Sequence, residues 1–263
     1  MLDKQVTIVT GGSKGIGFAT AKALVKKGAK VGIIARNQNH LDSAVQQLNE
    51  IAAADSAFGV AANVANKSHI TAAINKIVNH FGYVSGLVNN AGITRFSRLE
   101  TVAEEDLLAQ ININFLGLVF CCQAAIPHLR KSTNARIINI SSASVRHSNE
   151  MAHIGIYAAT KAAVERFTVE LREELLIDKI GVTLFSPGGA LTDQIQDMEP
   201  KSLEIALAEW QKRHNTFNGY LAVDDLGESI AQCFCFPQGA AIDFVELRPN
   251  RLMDKKTFTE ITT

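Results

Sequence analysis

Short apolar runs and longer amphipathic stretches alternate along almost the whole chain. The first run, QVTIVT (5–10), leads into a glycine-rich turn, a helical stretch from about Gly15 to Lys27, and a second apolar run, KVGIIAR (30–36). Five more runs follow: SAFGVAAN (56–63), SGLVNNAG (85–92), ARIINISS (135–142), GVTLFSPGG (181–189) and AIDFVELRP (241–249). Each is rich in Val, Ile or Phe and bounded by Gly, Pro, Asn or Ser, so each reads as a buried strand ending in a loop. His40–Ala53, Ser68–Phe81, Glu104–Leu129 and Tyr157–Leu176 read as helices between them. That alternation predicts an α/β fold, a doubly wound parallel sheet of about seven strands flanked by helices. No repeat, low-complexity tract or Pro/Ser-rich linker divides residues 1–263, so a single domain is expected. The stretch 193–220 breaks the rhythm. It contains the amphipathic LEIALAEWQKRH and is expected either to cover the sheet's carboxyl edge as a substrate lid or to be an ordinary surface helix.

Composition narrows the picture by exclusion. The 263 residues are 47% hydrophobic, and 26 Lys+Arg balance 26 Asp+Glu. A nucleic-acid partner calls for a basic excess, and disorder for low hydrophobicity with high net charge; the chain has neither. The start MLDKQVTIVTGG lacks a leader pattern. The most apolar stretch, 116–129, is interrupted by Gln123, Pro127 and His128 and reads as too short to span a bilayer, so a cytoplasmic protein is expected. The four cysteines form two local pairs, Cys121/Cys122 and Cys233/Cys235, in apolar segments. They read as buried small hydrophobes rather than as a four-thiolate zinc site, because adjacent cysteines are poor tetrahedral ligands.

Chemistry enters at TGGSKGIG, residues 10–17, which follows the first strand and opens the first helix. There, glycines allow a tight turn and close backbone approach, while free amide groups and the helix dipole attract a pyrophosphate. Gly11, Gly15 and Gly17, with Ser13, Lys14 and Ile16 between them, form a Thr-Gly-x-x-x-Gly-x-Gly variant that resembles the short-chain dehydrogenase/reductase family. The expected fold is then of Rossmann type. About twenty residues further on, an acid would bind the ribose 2′-hydroxyl, yet the chain reads Ala35-Arg36-Asn37. Arg36, with Lys14 from the glycine turn, suits a 2′-phosphate, so NADP(H) is expected over NAD(H); the alternative is two solvated surface charges.

Tyr157 and Lys161 lie four residues apart, one turn along a predicted helix. A neighbouring ammonium draws a phenol's pKa down, so the tyrosine is expected to act as general acid/base. The strand ARIINI ends in Ser141-Ser142, where a hydroxyl can reach a substrate oxygen. The resemblance implies a serine, a tyrosine and a lysine in these roles. Ser142 fits the strand end but lies fifteen residues before Tyr157, against a usual gap of about thirteen; Ser144 fits the gap but not the strand end. Ser142 is preferred, with a two-residue insertion in VRHSNEMAHIG.

Three further matches follow from the same resemblance. Asn89-Asn90-Ala91-Gly92 implies an adenosine-side wall, carried by Asn89, Ala91 and Gly92. Asn114 implies a proton-relay residue, and Pro187-Gly188-x-x-x-Thr192 a threonine on the nicotinamide carboxamide. Asn63-Val64 stands where the family usually has Asp-Val beside the adenine. An amide oxygen can still accept there, so both residues are expected at the cofactor. The last strand ends VELRPN, without the Gly-Gly frequent in acyl-carrier thioester reductases. His147 and His153 fall near the expected pocket mouth, either as substrate contacts or as plain loop histidines.

The resemblance implies hydride exchange between NADP(H) and a small carbonyl/alcohol pair, with Asn114, Ser142, Tyr157 and Lys161 catalytic and no metal required. A 3-oxoacyl thioester reductase, a non-catalytic NADP(H) sensor and a transient-hydride epimerase or dehydratase are the alternatives. The small residues Ala158, Ala159, Ala162 and Ala163, followed by Phe167, Leu171 and Leu175, suggest a helix that packs in a homodimer or homotetramer, or within the core.

Overall fold

A computed structural model describes residues 1–147, 151–190, 192, 200–213 and 216–255. Seven strands form one parallel sheet: β1 (Val6–Thr10), β2 (Lys30–Ala35), β3 (Ala57–Ala61), β4 (Gly86–Asn89), β5 (Arg136–Ile140), β6 (Gly181–Pro187) and β8 (Phe244–Leu247). Their order is β3-β2-β1-β4-β5-β6-β8. Every residue of β1, β4 and β5 is buried, which is why these strands read as mainly apolar runs without a clean polar/apolar alternation. The register, for example Ile8 beside Gly32 on one flank and Leu87 on the other, sets the carboxyl ends at one edge. Strand order reverses between β1 and β4, so the loops after those two strands part and leave a crevice.

Helices cover both faces. α1 (Gly15–Lys26), α2 (Gln38–Ile51) and α8 (Val223–Gln232) close one core over Val9, Ile33 and Phe185. α3 (Lys67–Phe81), α5 (Gly117–Leu129) and α6 (Gly155–Leu175) close the other over Ile8, Leu87 and Ile137. The Asn37 and Asn66 side chains each accept the backbone N–H three residues on, so α2 and α3 start slightly earlier than the apolar periodicity suggests. α8 was not foreseen. It lies tight on α1, where a Cβ on Gly227 would sit 2.4 Å from the Ala19 carbonyl carbon.

The expected helix 104–129 is interrupted. α4 (Glu104–Ile111) passes into a π-helical turn at Asn112–Leu116 before α5 begins. As one 26-residue helix, Glu104–Leu129 is long and apolar enough to cross a membrane, longer than the 116–129 stretch judged from sequence. In this fold Leu118, Cys121, Cys122, Ala125 and Leu129 are core residues. Burial pushes the Cys121 thiol up and the Cys122 thiol up to about 12, as expected of apolar fillers.

Of the stretch 193–220, residues 193–199, 214 and 215 lie outside the described residues. α7 (Pro200–Arg213) buries Ala206 and Trp210, and Trp210 packs with Ala152, Met151, Phe217 and Tyr220 in a small third core. β7 (Thr216–Phe217) and β9 (Met253–Asp254) form a two-stranded antiparallel pair beside it. Lys255 Nζ donates to the Trp210 carbonyl at 2.7 Å and lies 4.2 Å from its ring centroid, tying that strand pair to α7.

Candidate active site

The crevice at the strand reversal opens into a cleft of about 600 Å³. Its first wall is the turn between β1 and α1. Gly11 and Gly15 have φ of +64° and +52°, a region that favours glycine. Gly17 is constrained by contact instead, since a Cβ there would lie 2.3 Å from the Gly11 carbonyl oxygen and 2.5 Å from Asn90 Nδ2. That asparagine donates to the Thr10 and Gly11 carbonyls at 3.0 and 3.3 Å. In return, Thr10 Oγ1 accepts the Asn90 and Ala91 N–H groups, each at 3.1 Å. The loops after β1 and β4 therefore hold one another through the Asn90 and Thr10 side chains, leaving no room for a Cβ on Gly17. No acidic residue occupies the first turn of α1, so its positive end faces the cleft undiminished.

Gly11, Ser13, Lys14, Gly15, Ile16, Arg36, Val64, Ala91, Gly92, Pro187 and Thr192 all line this cleft, as do Tyr157 and Lys161. Lys14 and Arg36 line it with Asn37 and His40, and no carboxylate is among the described lining residues. Six of the sequence-chosen residues are not in the lining: Gly17, Asn63, Asn89, Asn114, Ser142 and Gly188, with Ser141 rather than Ser142 facing the cleft. Asn89 is buried and donates to Asn139 Oδ1 at 2.9 Å and Cys122 Sγ at 3.2 Å, bracing β4 against β5 and α5. Gly188 packs against Arg248 and Pro249. Asn63 turns its Oδ1 to the Ala65 N–H at 3.1 Å, and its neighbours Ala62 and Val64 face the cleft instead.

At the cleft floor, Tyr157 and Lys161 lie one turn apart on α6. Lys161 is 4% exposed and donates to the Ile140 carbonyl at 2.8 Å. Burial lowers its pKa to about 8, because the charged form loses its hydration. Burial also raises the Tyr157 phenol, opposed by hydrogen bonds from the Ser142 and Thr94 side chains. This corrects the expectation that the lysine draws the tyrosine down. The Nζ lies 5.9 Å from the ring centroid and is engaged on Ile140, so desolvation dominates.

Ser142 caps a 3₁₀ turn, Ala143–Val145, and its Oγ accepts from the Ser144 N–H at 3.2 Å and the Ser144 hydroxyl at 2.9 Å. Of the two candidate serines, Ser142 is the one whose hydroxyl opposes the rise of the phenol's pKa, and Ser144 bonds Ser142. The loop beyond is pinned by charge: Arg146 pairs with Glu165 at 2.7 Å, His147 with Glu246 at 2.8 Å, and Ser141 donates to Glu165 at 2.9 Å. The expected two-residue insertion falls partly on 148–150, outside the described residues. His153 has a φ of +58°, its carbonyl accepts the Ser97 N–H at 3.1 Å, and its buried Nε2 makes no hydrogen bond among the described residues.

Asn114 sits in the π-helical turn, 1% exposed. Its Nδ2 donates to the Ile93 carbonyl at 2.9 Å and Thr160 Oγ1 at 3.1 Å, while its Oδ1 accepts the Ile93 N–H at 2.8 Å. Thr160 in turn donates to the Tyr157 carbonyl at 2.7 Å. The extra residue of a π-turn redirects one side chain without ending the helix, which suits a buried amide. His40 was missed as a site residue, and Asn90, within the quoted Asn89–Gly92 motif, was not chosen from it; His40 is one turn beyond Arg36, so proximity was the signal available.

A parallel sheet with its ligand-sized cleft at the strand reversal, walled by a glycine turn, defines the doubly wound class that takes its ligand at that point. Within that class the chain matches the short chain dehydrogenase family over residues 5–202, and it belongs to that family of oxidoreductases. It is 36% identical over 212 residues to a 3-oxoacyl-[acyl-carrier-protein] reductase of Synechocystis, covering 80% of this chain and 84% of the relative. It is 34% identical over 195 residues to a 3alpha-hydroxysteroid dehydrogenase of Mediterraneibacter gnavus, covering 74% and 77%. Among solved structures it superposes on a 3-ketoacyl-(acyl-carrier-protein) reductase from Brucella melitensis complexed with NADH, with TM-score 0.80, 26% identity and coverage of 95% and 99%. A metagenomic short-chain oxidoreductase in complex with NADP gives TM-score 0.77 at 25% identity, covering 95% of this chain and 99% of the other.

Proposed function

We propose that the protein is an NADP(H)-dependent oxidoreductase that interconverts a small carbonyl and its alcohol. The observation that carries this reading is the convergence of the glycine turn, Tyr157 and Lys161 on one cleft. The backbone of the glycine turn from Gly11 to Gly15 lines the cleft at the α1 N-terminus and suits a pyrophosphate. Lys14 and Arg36, in a cleft with no carboxylate among its described lining residues, suit a 2′-phosphate, and Thr192 faces Gly15 across the opening. Bound there, a reduced nicotinamide supplies the hydride.

The chain's own groups do the rest. Ser142 donates to the substrate oxygen and fixes its position. Tyr157, kept protonated by its burial, transfers its proton to that oxygen as charge develops there. Lys161, with a pKa near 8, is ammonium at neutral pH and returns a proton to the phenolate. Asn114 holds the Ile93 peptide and α6 at fixed separation. α7 is the substrate lid, joined to the loop after β4 by Arg98 and Glu209 at 2.9 Å. A second copy of the chain meets α6 at its exposed Ala159, Ala162 and Val169, since Leu171 and Leu175 are taken by the core; light scattering tests this.

A second reading narrows the substrate to a 3-oxoacyl thioester, supported by the 36% identity to the Synechocystis reductase and opposed by the VELRPN ending of β8. A panel of ketones, aldehydes, quinones and acyl thioesters, followed by NADPH consumption, separates the two. On the best carbonyl of that panel, Tyr157→Phe is expected to lower kcat by at least a hundredfold. Near-wild-type turnover by that variant sinks the mechanism.

A further inference from the structure

Residues 141–147 form a compact unit that carries Ser142. The Val145 N–H bonds the Ser142 carbonyl at 3.1 Å, and the Arg146 and His147 N–H groups share the Ala143 carbonyl at 3.0 and 2.9 Å. Ser142 Oγ accepts the Ser144 N–H at 3.2 Å. Such a unit is stiff within itself. It leaves β5 at a single point, however, and a pivot about that point would shift Ser142 relative to α6 without breaking any of those bonds. A group that handles substrate must be held against such shifts by the residues behind it.

One carboxylate opposes the pivot. Tyr157, Lys161 and Glu165 follow one another at four-residue intervals on α6 and so share one face of the helix. The Glu165 side chain, 12% exposed, grips both ends of the segment 141–146. Its Oε1 accepts the Ser141 hydroxyl at 2.9 Å and Arg146 Nη1 at 2.8 Å, and its Oε2 pairs with Arg146 Nη2 at 2.7 Å. The Arg146 contact is two-pronged, which fixes direction as well as distance. One residue before the turn, the Ile140 carbonyl accepts Lys161 Nζ at 2.8 Å. The turn is therefore fastened to one face of α6 at its start and at its end. On its far side His147 meets Glu246 of β8 at 2.8 Å, within the VELRPN run.

We propose that Glu165 is a positioning residue for the reaction: by gripping Ser141 and Arg146 it sets the turn that carries Ser142 in a fixed place beside the helix that carries Tyr157 and Lys161. The inference rests on the functional reading above, in which Ser142 fixes the substrate oxygen and Tyr157 donates the proton. Glu165 lies outside the cleft lining, and no bond is made or broken at it. Misplacing a substrate-positioning group by about 1 Å costs up to about a hundredfold in rate, so a loosened turn is expected to show in kcat.

Glu165→Ala releases both ends of the turn, whereas Glu165→Gln keeps an acceptor for the Ser141 hydroxyl. Hydrogen exchange of the 141–147 segment in the full-length protein reads the turn directly, with no substrate present. Exchange there is expected to rise about tenfold in Glu165→Ala and to return toward wild type in Glu165→Gln. Asp178→Ala, which removes the 2.9 Å pair of Asp178 with Arg130, should leave it unchanged. On the best carbonyl of the NADPH panel, Glu165→Ala should lower kcat about tenfold with KM for NADPH held within about twofold. In a Ser142→Ala background, measured in single turnover, the same change should cost less than about twofold, because the residue it positions is gone. Should Glu165→Ala fold poorly, Arg146→Met, which frees one end of the turn, takes its place in each comparison. Unchanged exchange in 141–147 overturns the proposal, and so do equal losses of rate in the two backgrounds. Full turnover by Ser142→Ala or Tyr157→Phe overturns the functional reading instead, and leaves the exchange result standing.

Discussion

Adding one methyl group at Gly17 tests the cleft more sharply than removing any of its charges. Gly17 is helical with an ordinary negative φ, so Gly17→Ala meets no backbone strain and would favour helix in isolation. The conflict is steric. The new Cβ would lie 2.3 Å from the Gly11 carbonyl oxygen and 2.5 Å from Asn90 Nδ2, where ordinary contact begins near 3.4 Å. The β1 turn would have to move by about 1 Å, away from the Asn90 amide that holds it. Overpacking of this kind costs about 1–3 kcal/mol. At roughly 2–4 °C per kcal/mol for a domain of this size, the melting temperature should fall by about 3–10 °C.

The larger effect is on the dinucleotide. A turn displaced by about 1 Å presents its amides out of reach of the pyrophosphate, and NADPH affinity, read by fluorescence titration, should fall on the order of a hundredfold. Gly82→Ala is the control. Gly82 has a φ of +86° with nothing within 4 Å of an added Cβ, and it ends α3 on the far side of the sheet from the cleft. That variant should lose about 1–2 kcal/mol through backbone strain alone and bind NADPH as wild type does. If Gly17→Ala binds NADPH within threefold of wild type, the glycine turn is not the dinucleotide's wall and the placement argued above is wrong.

Arg36→Ala should weaken NADPH binding by tenfold or more and leave NADH nearly unchanged, a ratio read from paired titrations; equal losses for both coenzymes would remove the 2′-phosphate assignment. Arg136 is 2% exposed, and its Nη2 bonds Asn134 Oδ1 and the carbonyls of Phe236, Pro237 and Ala240. Arg136→Met removes one donor from all four acceptors and leaves the Phe236 and Pro237 carbonyls bonded to Asn134 Nδ2 and the Ala240 N–H, so it should lower unfolding free energy by about 1–3 kcal/mol in urea titration with kcat unchanged. Lys161 should carry an alkaline limb near pH 8 in kcat/KM for NADPH, since its ammonium form is lost as pH rises through that value; Lys161→Arg should move the limb upward, and an unmoved limb would assign it to another group.

What the sequence made legible follows from where its constraints are local. The seven sheet strands announce themselves as short runs rich in Val, Ile and Phe, and β1 and β5 are buried throughout, even at Thr7, Arg136 and Asn139. The glycine turn is legible because close backbone approach admits no other residue at Gly17. α8 hid because its constraint is non-local: Gly227 matters only once α1 is known to lie against it. The π-turn hid because a one-residue bulge does not interrupt apolar periodicity, and Asn114 alone marks it. The tyrosine's pKa was misjudged for a related reason. The spacing of Tyr157 and Lys161 gives their separation along a helix, but not the burial that outweighs any charge between them.

That reversal has a consequence for direction. With the phenol raised above its usual value and the ammonium brought down to about 8, the two groups stand in the opposite order to a lysine that merely activates a tyrosinate. Near neutral pH both protons are in place, so the resting site is a loaded donor with a net positive charge at the cleft floor. A developing alkoxide is a far stronger base than either group. In the mechanism proposed above it draws the tyrosine proton, and the lysine, the stronger acid of the two, returns it with a downhill transfer. Run backwards, the same pair must place a proton on Lys161 that it holds only weakly above pH 8. Reduction should therefore dominate at neutral pH, and alcohol oxidation should gain as pH rises, because the overall reaction releases a proton and because Lys161 then begins the cycle empty.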